Sequence, residues 1–172
     1  SAYKSLELIR LLKKKGAQIK TILTNSAKQF VTPLSVTALS QEKVYDDLFS
    51  LENETEMDHI SLSRWSDVIL VAPATANTIA KLSSGSSDDL ASTVMLASDK
   101  NIFLAPAMNV RMWEHGSTKE NITKLKNYGF NLIGPEIGDM ACGEFGEGKM
   151  SEPEKILKKI ENYFENLSKN KK

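Results

Sequence analysis

The sequence predicts an α/β protein in three layers, a parallel sheet with helices on both faces. Three observations predict it. Segments of helical periodicity alternate with short apolar runs along all 172 residues, the pattern of repeated strand–helix units. Two of the runs, Asp67–Ala72 and Asn101–Ala105, are continuously apolar after a polar first residue, as strands covered on both faces are. Each of these runs also leads through a turn into a helix, the edge at which open α/β sheets bind ligands.

Taken in order, Tyr3–Lys15 is predicted helical, with Leu6, Ile9 and Leu12 on one stripe and Gly16 as the stop. Ala17–Thr24, rich in Ile and Thr, is predicted as a strand. A helix that leads into a strand of a parallel sheet is itself a crossover from an earlier strand, so a first strand missing from this sequence is expected. Thr24-Asn25-Ser26 closes the strand with hydroxyl and amide groups, which suit either a ligand's phosphate or the cap of a helix over Ser26–Phe30. Pro33–Ser40 is expected to be helical and the polar, acidic Gln41–Met57 a surface loop. Asp67–Ala72 is the clearest buried strand. Pro73–Thr78 turns it into a helix to about Leu82, Ser83–Ser87 is a flexible loop, and Asp88–Ser98 is the next helix. Ser117–Tyr128 is expected to start on a capping box of Ser117 with Glu120 and to close at Gly129. Phe130–Gly134 is the last strand. Pro135–Met150, with four glycines and no periodicity, is expected to be a long functional loop. Ser151 with Glu154 reads as a second capping box, opening a helix to Leu167 striped by Ile156, Leu157, Ile160, Phe164 and Leu167. Residues 1–167 form one domain and 168–172 a basic tail or the start of a linker.

Composition narrows the classes. Acidic and basic residues balance at 22 each, so no surface for nucleic acid or for an anionic membrane is implied. No apolar stretch approaches the roughly 20 residues that span a bilayer, and no signal-peptide core stands at the start. A single cysteine forms no internal disulfide and fits the cytoplasm. A metal site is not expected.

The turn after the second apolar run carries the chemistry. Leu104–Trp113 sets one amide, Asn109, among Met108, Met112, Trp113 and Pro106, where turns normally carry Gly, Asp or Ser. An amide donates and accepts at once, which suits a carboxylate or carbonyl in an apolar pocket; the alternative is that Met and Trp simply pack beneath the sheet. Small residues in Pro73–Thr78 let a flat ring approach the backbone, while Thr75, Asn77 and Thr78 offer hydrogen bonds, of which an ordinary cap explains one.

The run Pro106-Ala107-Met108-Asn109-Val110-Arg111-Met112-Trp113 resembles the PxMNxxMW signature of the flavin-dependent cysteine decarboxylases. Ala141–Met150, reading ACGEFGEGKM, is similar to the substrate clamp of that family, Pro73–Thr78 to its PxxANT turn, and His59–Trp65 to its HIxLxxW pattern. The resemblance implies a Rossmann-like flavoprotein fold with FMN bound by Thr24, Ser26, Thr75, Ala76, Asn77, Thr78 and Ala107. The missing first strand would have ended in the turn that takes the FMN phosphate at a helix N-terminus. Catalysis would rest on His59, Asn109 and Cys142, and substrate on Met108, Asn109, Met112, Ala141, Cys142, Gly143, Lys149 and Met150. Lys149 stands where Arg is common and lacks the bidentate fork. His115 matches no functional position and is expected at the surface.

Within the family, a clamp containing cysteine implies the branch that decarboxylates 4'-phosphopantothenoylcysteine to 4'-phosphopantetheine for coenzyme A synthesis. A carboxylate next to an amide-bearing carbon has no electron sink when carbon dioxide leaves. Oxidising the neighbouring thiol to a thioaldehyde creates one, and the resulting enethiol must then be reduced. Asn109 would hold the carboxylate, His59 serve as acid/base and Cys142 deliver the last proton. Peptidyl-cysteine decarboxylases, which stop at the enethiol and lack the cysteine clamp, remain an alternative. So do a regulatory, phosphatase-inhibiting relative and a flavin prenyltransferase of similar fold. The resemblance further implies a homotrimer, or a dodecamer of trimers, and fusion to a phosphopantothenate–cysteine ligase domain.

Overall fold

A computed structural model describes residues 1–48 and 58–170 of the chain. In order, it runs through helix α1 (Ala2–Lys14), strand β1 (Thr21–Ile22), a 3-10 turn (Ala27–Gln29), α2 (Pro33–Ser40) and β2 (Val44–Tyr45). Next come α3 (Asp58–Trp65), β3 (Val68–Ala74), α4 (Ala76–Ser84), α5 (Leu90–Leu96), β4 (Asn101–Pro106), α6 (Val110–Glu114) and α7 (Gly116–Asn127). The chain ends with β5 (Asn131–Leu132), β6 (Glu136–Asp139), β7 (Phe145–Lys149) and α8 (Pro153–Asn170).

The centre is β4, paired in parallel with β3 on one side and β5 on the other. Its side chains alternate between two cores, as the pleat requires. Ile102 and Leu104 face a core with Ile79, Leu82, Met95, Trp113, Ile122 and Leu125. Phe103 and Ala105 face the other, with Leu8, Ile133, Met150, Ile156 and Ile160. Helices α4, α5 and α7 cover one face and α1 and α8 the opposite one, so the three-layer α/β arrangement is as expected. Leu104 has no exposed surface, and its burial contributes about 2–3 kcal/mol.

The sheet is not continuous. β1 and β2 form a separate parallel pair, and no ladder joins β1 to β3 among the described residues. A slot lies between them, lined by Ile19, Thr21, Leu23, Val68, Leu70 and Ala72. For that reason β3, the apolar run expected to be fully buried, is only half-buried from Val68 to Pro73. Helix α1 spans the two parts: Leu8 belongs to the core beneath β4, Ile9 to the core around Leu23, and Ser5 Oγ donates to the carbonyl of Ala72 at 2.6 Å.

Several local expectations are corrected. The segment Gln41–Met57 is not all loop, because β2 lies within it; its residues 49–57 fall outside the described residues. The strand expected over Ala17–Thr24 is reduced to Thr21–Ile22, and α8 runs on past Leu167 to Asn170. Pro135–Met150 contains an antiparallel hairpin, β6–β7, rather than irregular loop. Helix α7 starts at Gly116 with His115 as its cap, whose Nδ1 accepts from Ser117 N at 3.2 Å; the Ser117–Glu120 box does not form. Helix α8 starts at Pro153, one residue too late for Ser151 to be its cap, and the Glu152 carbonyl accepts from Ile156 N instead. Ser151 is fully buried. The helix expected over Asp88–Ser98 is shorter: α5 runs from Leu90 to Leu96, capped by Asp89 in a capping box with Ser92.

Candidate active site

Four segments converge beyond the C-terminal ends of the strands. Thr24, Asn25 and Ser26 follow β1, and Thr75, Asn77 and Thr78 open α4. Ala107, Met108 and Asn109 follow β4, while Asp139–Cys142 with Gly148 and Lys149 come from the hairpin; all line one cleft. The opening measures about 1810 Å³, beyond the roughly 300–1,000 Å³ of a usual ligand pocket, because it continues into the slot between β1 and β3.

Two small-residue turns form part of the lining. Thr75 caps α4, its hydroxyl accepting from Thr78 N at 3.2 Å and standing 3.1 Å from the Thr78 hydroxyl. The adjacent turn is tied to it where Ala107 N donates to the Ala74 carbonyl at 3.0 Å. Asn109 caps α6, its Oδ1 accepting from Met112 N at 2.8 Å. The cap uses the oxygen and leaves the two N–H donors of Nδ2 for a ligand. Of the two readings of this turn, packing beneath the sheet holds for Trp113, which is 5% exposed and belongs to the core, whereas Met112 is exposed.

The hairpin lies against this turn by way of its glycines. Met108 N donates to the Gly148 carbonyl at 3.0 Å. Gly148 has φ +142°, and a Cβ there would strike the Met108 carbonyl oxygen; a Cβ on Gly146 would come within 2.9 Å of Val110. At the tip, Gly143 N donates to Met140 O at 2.9 Å and Met140 N to Glu144 O at 2.8 Å, which leaves Cys142 exposed. Its Sγ donates to Glu144 Oε2 at 3.6 Å, and Glu144 Oε1 lies 3.9 Å from Arg111 Nε on α6. At the other end of the hairpin, Glu152 accepts from Lys4 Nζ at 2.7 Å, with Lys149 Nζ 3.6 Å away. The Lys4 hydrogen bond, assisted by the charges of both lysines, holds the Glu152 carboxyl below the usual glutamate range.

Of the residues singled out by sequence, Thr24, Ser26, Thr75, Asn77, Thr78, Ala107, Met108, Asn109, Ala141, Cys142 and Lys149 line the cleft. Ala76, Met112 and Gly143 stand beside it rather than in its lining. Met150 is fully buried against Leu8 and Ile156, so its side chain anchors the end of β7 in the core and does not face a substrate. His59, half-buried in the first turn of α3, is not part of the lining within this one chain. The roles of Glu144, Gly146 and Gly148 were not read from sequence. For the two glycines the signal was their spacing, which marks close backbone approach; Glu144 had none.

A parallel α/β scaffold with ligand-lining turns beyond its strand ends, and a hairpin laid across them, is the architecture of a cofactor-dependent α/β protein. Residues 1–165 match the flavoprotein family, and the chain belongs to it. It is 46% identical over 164 residues to the coenzyme A biosynthesis bifunctional protein CoaBC of Haemophilus influenzae, covering 95% of this chain and 41% of that protein. The Bacillus subtilis protein of the same name is 44% identical, with 95% and 40% covered. The chain thus spans about two fifths of the length of these relatives. Among solved structures, it is similar to a Cys→Ser variant of PPC decarboxylase complexed with pantothenoylaminoethenethiol (31% identity, TM-score 0.84, 95% of this chain and 92% of that one). It is likewise similar to the FMN binding protein AtHal3 (31% identity, TM-score 0.80, 96% and 91% covered). Among the described residues no helix is long and apolar enough to cross a membrane.

Proposed function

We propose that this chain is the FMN-dependent unit that decarboxylates 4'-phosphopantothenoylcysteine to 4'-phosphopantetheine in coenzyme A synthesis. The observation that carries the reading is the convergence of Asn109 and Cys142, from segments far apart in sequence, on one cleft. The residues present fit a flavin. Hydroxyls of Thr24, Ser26, Thr75 and Thr78 and the amide of Asn77 offer hydrogen bonds, and Ala107 keeps its turn low enough for a flat ring.

When bound, the flavin supplies the two-electron oxidation that makes carbon dioxide loss feasible and the reduction that completes the product. The chain's own groups do the rest. Asn109 donates from Nδ2 to the substrate carboxylate, since its oxygen is committed to the α6 cap. Cys142 delivers a proton to the enethiol carbon from the hairpin tip. The hairpin covers the cleft and keeps water from the sulfur intermediates. His59, outside the lining, is assigned no contact with substrate within one chain. The reading includes a homo-oligomer built on trimers, fusion to a ligase domain as in the bifunctional relatives, and a cytoplasmic location. Mass spectrometry of products after incubating FMN-loaded protein with the substrate tests it: carbon dioxide and 4'-phosphopantetheine are expected, and unchanged substrate overturns it.

A further inference from the structure

The side chain that faces the Cys142 thiol is Glu144, which the reading above does not use. The tight turn at the tip fixes both backbones: Gly143 N bonds to Met140 O, and Met140 N to Glu144 O. Gly143, at φ +83°, supplies the left-handed residue that brings the chain back. Glu144 is half-buried, whereas Ala141, Cys142, Gly143 and Phe145 around it are exposed. One carboxylate oxygen accepts from Sγ at 3.6 Å, and the other faces Arg111 at 3.9 Å. Arg111 is the second residue of α6, the helix capped by Asn109. Thiol, carboxylate and guanidinium therefore form a continuous link from the proton donor to the helix that carries the carboxylate holder.

We propose that Glu144 is the positioning residue for Cys142, fixing the direction of the S–H bond relative to Asn109 through its bond to Sγ and its contact with Arg111. An exposed carboxylate–guanidinium pair adds little to stability, so the effect of the link is on direction. The inference rests on the proposed reaction. In its last step the enethiol double bond would take a hydride at one carbon, chemistry that a bound flavin would supply, and the Cys142 proton at the other. The thiolate left on Cys142 is re-protonated from solvent. A thiol free to rotate at the exposed tip would present its hydrogen to that carbon only part of the time, and reduction would lag behind carbon dioxide release.

The chain has one cysteine, so its S–H stretch is a single infrared band, identified by its loss in Cys142→Ser. In the FMN-loaded protein, Glu144→Gln is expected to move the band to higher frequency as the hydrogen bond weakens. The same variant is expected to release carbon dioxide at the wild-type rate while the ratio of enethiol to saturated product rises about tenfold, the scale of one misdirected hydrogen bond. An unchanged band, or an unchanged product ratio, overturns the role of Glu144. Wild-type protein that releases no carbon dioxide overturns the proposed function instead, and the infrared band still decides whether Glu144 holds the thiol.

Discussion

The amide of Met108 donates to the carbonyl of Gly148 at 3.0 Å, so the strand leading from the hairpin tip is bonded directly to the turn that presents Asn109. The contact is backbone to backbone and needs a residue without Cβ at 148, where φ is +142° and the Met108 carbonyl occupies the space of a side chain.

Gly148→Ala is therefore expected to lift the hairpin from the turn without unfolding the sheet. Strain at this position should lower stability by about 1–3 kcal/mol. Product formation should fall about a hundredfold, as displacements of about 1 Å do. Thermal unfolding and product assays on one preparation check both; wild-type turnover would show that the hairpin's seat is irrelevant.

Asn109→Asp separates the two uses of this side chain. Asp caps helices as well as Asn, so the α6 cap should survive and the melting temperature should hardly move. The N–H donors are lost and a carboxylate faces the substrate's own. Carbon dioxide release should drop about ten- to a hundredfold while flavin stays bound. Release at the wild-type rate would remove Asn109 from the role of carboxylate holder.

Cys142→Ser should divide the reaction. Oxidation and carbon dioxide loss do not use the Cys142 proton and should proceed, whereas a hydroxyl is a much weaker acid than a thiol. The product expected by mass spectrometry is the enethiol, two hydrogens short of 4'-phosphopantetheine. Full conversion to saturated product by the serine variant would leave Cys142 with no part in the reduction.

Two carboxylates give a pH dependence. Glu136, through its hydrogen bond from Lys155, and Glu152, through that from Lys4, are held below the ordinary glutamate value. A depressed folded-state pKa contributes stability at pH above the unfolded value of about 4.3, and this is lost as pH falls through the folded value. The melting temperature should thus be flat near neutrality and decline below about pH 4. Glu152→Gln should reduce the decline; an identical acid profile in the variant would sink the assignment.

The fold was legible where pattern and packing agree. The continuous apolar run ending at Ala105 had the length and composition of a covered strand, and Asn109 stood out as the one amide in an apolar turn. The hairpin was hidden because its strands are built on glycines chosen for close approach to Met108 and Val110, which erases the alternation that marks a strand. β2 was hidden because two residues in a polar stretch carry no period. Ser117 and Ser151 each had the right spacing for a cap, but His115 and Glu152 were already at the helix ends, and a cap belongs to whichever residue the preceding loop delivers there. Cys142 and Lys149 were found through motif resemblance alone, and the same resemblance named Met150, whose side chain the core takes instead.

The cleft has two banks from separate stretches of the chain, Thr24 and Ser26 on one and Thr75 and Thr78 on the other. A molecule that grips both binds only the arrangement in which they stand at the right separation, and it withdraws the chain from every state in which they do not. Occupancy of the cleft should therefore raise the melting temperature by mass action.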